Sequence, residues 1–97
     1  MNILIEPNVK EALVKDMEIH HKPAVRLVVK GFGWAGPSFG IVLDEQEEKD
    51  DVVTVEGIDF IAEKDISFLF EDANIIQRKS VFGDYFDISL PNNSGKC

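Results

Sequence analysis

Apolar residues recur along this chain with two different periods, and the alternation between them sketches the fold. Val9, Ala12, Leu13 and Met17 follow the i, i+3, i+4, i+8 spacing of one helix face, with Lys10, Glu11 and Lys15 off the stripe. Pro7 suits a first helical position, where its missing N–H costs no hydrogen bond. Further on, Ile66, Leu69, Phe70 and Ala73 repeat at i, i+3, i+4, i+7 and predict a short second helix, with Asp65 in its first turn favoured by the helix dipole. Elsewhere the period is two. Val25, Leu27 and Val29 alternate with Arg26, Val28 and Lys30, and Phe39, Ile41 and Leu43 alternate with Ser38, Gly40 and Val42. Val52–Val55 and Ile58–Ile61 flank Glu56-Gly57, a two-residue hairpin turn in which Gly57 supplies the positive φ. Ile75–Val81 and Tyr85–Leu90 flank a turn placed at Gly83-Asp84, and Asn2–Ile5 adds an edge strand. This order of elements predicts antiparallel sheets curled over one core, with helices at the margins. After Leu90 the apolar pattern stops, so residues 1–90 read as a single domain and 91–97 as a flexible C-terminal tail.

Composition narrows the classes of function. Ninety-seven residues suffice to bury about 65% of the unfolded chain's surface, enough for a core without staples. The net charge of −8 repels nucleic-acid backbones and anionic membranes, so neither is expected as a partner. Much of that charge lies in Asp44-Glu45-Gln46-Glu47-Glu48-Lys49-Asp50-Asp51, read as a solvated loop between strands; it lacks the glycine with which calcium loops turn. The N-terminus has no basic region before its apolar residues, and no apolar run reaches the length of a bilayer span. A cytoplasmic protein is expected, and the single cysteine, Cys97, fits a reducing compartment.

Few residues offer chemistry. His20 and His21 follow the first helix; neighbouring histidines point apart on most backbones, so they suit the negative end of a helix better than a shared metal. Ser38, Ser67, Ser80 and Ser94 lie in no nucleophile-elbow context, and no Ser-His-Asp or Cys-His set is evident, so no enzyme activity is expected. The connection Gly31-Phe32-Gly33-Trp34-Ala35-Gly36-Pro37 has two readings. It forms a wide turn with Trp34 capping the core, or it presents a site in which Gly33 and Gly36 shape the backbone. Cys97 is a candidate metal ligand, since a thiol on an exposed end is prone to oxidation and costs solubility.

The order of elements, with Val25-Arg26-Leu27-Val28-Val29 leading into Gly33-Trp34-Ala35-Gly36, then Phe39 to Asp44, then Gly83-Asp84-Tyr85-Phe86 through Pro91-Asn92 to Cys97, resembles the HesB-like family of A-type iron–sulfur cluster assembly and carrier proteins. The resemblance implies a mainly β (α+β) fold, a compact two-sheet sandwich or half-barrel with two short flanking helices. It also implies a cysteine motif that is degenerate here. Trp34 stands where the family has its first cysteine, and Cys97 stands at the first cysteine of its terminal Cys-Gly-Cys pair. One of three family ligands is present. Two functions are compatible with this. In one, the chain carries iron or a [2Fe–2S] cluster through Cys97 at the interface of a homodimer or tetramer, serving an iron–sulfur assembly or recipient protein. In the other, it binds no cluster and works as an interaction or regulatory module, with Trp34, joined by Phe32 and Phe39, as an exposed aromatic anchor.

Overall fold

The computed structural model describes residues 1–34 and 36–91. In chain order the elements are β1 (Ile3–Ile5), α1 (Pro7–His20), β2 (Ala24–Gly33), β3 (Gly36–Asp44), β4 (Asp50–Val55), β5 (Ile58–Glu63), a single 3₁₀ turn (Ser67–Leu69), β6 (Ala73–Ser80) and β7 (Gly83–Ser89). The strands form two sheets, ordered β3-β2-β5-β4 and β1-β6-β7. Hairpins make three of the pairings antiparallel, whereas β2 with β5 and β1 with β6 run parallel.

The period-two pattern works as a sorting rule. Val25 and Leu27 of β2, Phe39 of β3 and Ile58, Phe60 and Ala62 of β5 turn to one face of the larger sheet. They meet Ile3, Ala73, Ile75 and Ile88 from the smaller sheet, with Val9 and Leu13 of α1 closing one side. Phe39 and Phe70 join the halves in a T-shaped contact, ring centroids 5.5 Å apart at 76°.

Local chemistry explains the ends of these elements. α1 starts at Pro7 and ends when His21 adopts a left-handed conformation (φ 56°), the Lys22 N–H donating back to the Met17 carbonyl at 3.0 Å. The His20 ring nitrogen Nδ1 lies 3.0 Å from the Asp16 carbonyl, on the helix end that favours it. At the β4–β5 turn both Glu56 (φ 55°) and Gly57 (φ 81°) are left-handed, the combination that matches the strand twist of a two-residue hairpin.

Three expectations are corrected. The sheets are mixed and not antiparallel throughout, because β1 with β6 and β2 with β5 are joined by long connections instead of hairpins and run parallel. Among the described residues only one α-helix flanks the sheets. Ile66, Leu69, Phe70 and Ala73 do turn toward the interior, but a single 3₁₀ turn with its two caps presents the first three, and Ala73 belongs to β6. Asp72 then leaves in a left-handed conformation, its N–H donating to Asn2 Oδ1 at 2.5 Å, and Ala73 pairs with Ile3 in the parallel β1–β6 ladder. Strand pairing captures the residue that would have completed the helix. The β6–β7 turn also sits two residues earlier than expected. Ser80 pairs with Gly83, so Val81 and Phe82 form the loop, and Asp84 lies inside β7 opposite Lys79. Ser80 Oγ accepts from the Phe82 N–H at 3.1 Å and donates to the Gly83 carbonyl at 3.0 Å, fixing the turn there.

Candidate functional site

The glycine-rich connection is narrower than a wide turn. β2 and β3 stay paired as far as Gly33↔Gly36, with one irregularity between Val29 and Gly31, so the hairpin closes immediately after Gly33. Of its glycines, Gly36 (φ 105°) takes a conformation that L side chains resist. A Cβ at Gly31 or Gly33 would meet nothing within 4 Å, so packing does not demand glycine there. Trp34 stands at the tip with its whole side chain in solvent (108% relative exposure) and does not cap the core. Phe32 beside it is also exposed, whereas Phe39 is buried against Phe70 and cannot join an exposed aromatic cluster.

Because Trp34 is the chain's only tryptophan, its fluorescence reports this placement without interference. Emission at the wavelength of a fully hydrated indole is expected, and Trp34→Ala should change unfolding stability by no more than about 0.5 kcal/mol, as surface substitutions do. A blue-shifted band would contradict the placement.

Cys97 and the 92–97 part of the expected tail lie outside the described residues. Among the described residues no three His, Cys, Asp or Glu side chains gather in a way that could hold a metal ion. No described helix is long and apolar enough to cross a membrane.

Sequence reasoning missed the most extensive polar constellation among the described residues. Arg26, read as an outward-facing alternate of β2, is buried on the face of the larger sheet opposite the core. Its Nη1 and Nη2 donate to both carboxylate oxygens of Asp50 at 2.7 Å, its Nε to Asp44 at 2.6 Å and its Nη2 to the Glu45 carbonyl at 3.2 Å. The Asp50 side chain is wholly shielded from solvent, and it also accepts the Glu47 N–H at 2.8 Å. Hydrogen bonds from Arg26 hold the Asp50 and Asp44 carboxyls below the ordinary carboxylate range, while the bond to Asp50 pushes the guanidinium upward. The acidic run is therefore solvated through Glu45–Lys49 but clamped at both ends. One signal was available: Ala24 to Val29 is apolar at both parities except for Arg26. That pattern marks a strand covered on both faces, in which a charge needs a partner.

No family model matches the chain. A protein of Bacillus subtilis (strain 168) named "Uncharacterized protein SufA" is 31% identical over 88 residues, spanning 87% of this chain and 73% of that protein. The chain belongs to the HesB-like family of A-type iron–sulfur cluster assembly proteins. The fold agrees. A crystal structure of IscA with the [2Fe–2S] cluster superposes at a TM-score of 0.78 with 16% identity, over 99% of this chain and 91% of that one. Escherichia coli SufA, described as involved in the biosynthesis of iron–sulfur clusters, gives 0.65 with 21% identity, over 99% and 86%. A solution structure of an Aquifex aeolicus protein gives 0.68 with 20% identity, over 92% and 91%. At such identities these structures establish the HesB-like architecture of two sheets.

Proposed function

We propose that this HesB-like protein carries iron or a [2Fe–2S] cluster as cargo in iron–sulfur cluster biogenesis, with Cys97 supplying its thiolate and a second chain or a small thiol supplying the others. The supporting observation is the 31% identity to SufA along most of the chain, set against a donor set of one cysteine. A [2Fe–2S] cluster takes four ligands, normally thiolates. One copy contributes one, a homodimer two and a homotetramer four. Trp34, at the place of the family's first cysteine, adds none, because an indole has an N–H donor and no lone pair for a metal. In this reading the protein is no enzyme; it works in a reducing compartment such as the cytoplasm and hands its cargo to an assembly or recipient protein. Gly33 and Gly36 let the β2–β3 tip approach that cargo closely.

The exposure of Trp34 and Phe32 favours a second reading, in which a relative without a cluster docks on a partner through these rings. Anaerobic reconstitution with iron and sulfide separates the two. The carrier reading expects visible absorption in the presence of a small thiol, and its loss in Cys97→Ser. Protein that stays colourless with and without thiol would remove the carrier and leave the docking module.

A further inference from the structure

The larger sheet has a gap beside its central strand. β5 pairs with β2 only over Ala24↔Asp59, Val25↔Phe60 and Arg26↔Ile61. It then stays with β4 as far as Glu63, opposite Asp50, while β2 continues seven residues further with β3 alone. Along Leu27–Gly33, therefore, the β2 edge turned away from β3 pairs with no other strand among the described residues. A groove of about 240 Å³ lies where β5 departs, lined by Arg26, Leu27, Val28, Val29, Glu63 and Ile66.

Exposed edges are usually blocked by a lysine or proline. Neither device guards this one. Pro37 lies on β3, the opposite side of the ribbon. The Lys30 stem lies across Gly40 of β3, close enough that a Cβ there would come within 2.4 Å of its Cδ. From Gly31 to Leu43 the ribbon carries no charge at all, in a chain of net charge −8. Within the groove Arg26 is already held by Asp44 and Asp50. Glu63 has only a loose surface partner, Lys49 at 3.7 Å.

We propose that this edge accepts an extended peptide segment of a partner protein as an added strand, the segment alternating apolar with basic residues. Backbone groups of β2 supply the pairing, Val29 and Ile66 receive an apolar side chain, and Glu63 receives a basic one. The partner is basic because the chain as a whole carries a net charge of −8 and because the Glu63 carboxylate in the groove is held only by the exposed, 3.7 Å contact to Lys49. The inference does not involve Cys97 and stands whether or not the protein carries iron.

The test is titration of the full chain with a short synthetic peptide of alternating lysine and valine, followed by amide NMR and hydrogen exchange. Saturable binding is expected, with new protection confined to amides of Leu27–Gly33. Glu63→Lys should weaken it roughly tenfold, with an unchanged circular dichroism spectrum as the check on folding. A peptide N-methylated along its pairing edge should not bind, which tests the strand geometry without altering the protein. Equal affinity for an alternating glutamate–valine peptide, undiminished binding of the N-methylated peptide, or protection along β4 or β7 would overturn the proposal. So would concentration-dependent protection of the same amides without peptide, since it would assign the edge to a second copy.

Discussion

Arg26→Leu is expected to destabilise the protein by about 3–5 kcal/mol, the cost of leaving a buried carboxylate without its counter-charge. The charge in question is Asp50, whose side chain is fully shielded and whose two oxygens both accept from the guanidinium. The Arg26→Leu/Asp50→Leu double variant should recover much of the loss, because it buries no charge; Asp44 keeps contact with water. Urea unfolding of the three proteins measures both effects. If the single variant loses under 1 kcal/mol, the pair is not buried as described.

The same cluster sets a pH dependence. Asp50 and Asp44 have folded-state pKa values below the ordinary 3.8. As pH falls through that ordinary value, the unfolded chain takes up protons that the folded one refuses, so stability declines. The clamp's contribution is fully present above about pH 5 and is lost as pH drops through the depressed folded values. In Arg26→Leu this acid-side slope should flatten.

Phe70→Ala carries the second large effect, about 3–5 kcal/mol for a buried aromatic replaced by a methyl group. Phe70 has no exposed surface, and it meets Phe39 of the larger sheet edge to face. Its backbone carbonyl also accepts the Asn2 N–H at 2.9 Å, beside the start of β1. Truncation therefore opens a cavity between the sheets where β1 enters, and β1 amide protection should fall before that of β5. Phe68→Ala, two residues away and mostly exposed (68%), should be nearly silent. Comparable losses at both positions would show that the chain between β5 and β6 packs differently.

The cluster hypothesis drew on residues that sequence reading could find, but not on their environment. Trp34 and Cys97 stood out by type alone. Composition could not tell a core-capping Trp34 from an exposed one, because an indole suits either place. Pairing decided it, by carrying β2 and β3 together to Gly33↔Gly36 and leaving the ring beyond the end of the ladder. Phe39 shows the converse. It sits in the same uncharged stretch as Phe32 and Trp34, yet alternation along β3 sends it inward to Phe70.

Periodicity by itself determined the α1 stripe and the strands on either side of the Glu56-Gly57 turn, since each depends on neighbours within a few residues. Only the tertiary structure could decide what distant segments do to one another. The β1 ladder took Ala73 from a helix that its spacing would have allowed. The ends of an acidic loop turned inward to neutralise Arg26, and β5 left β2 halfway along its length. A hydrophobic pattern records which side of an element is buried, whereas the partner that covers it is chosen by contacts between residues far apart in the chain, which no local pattern contains.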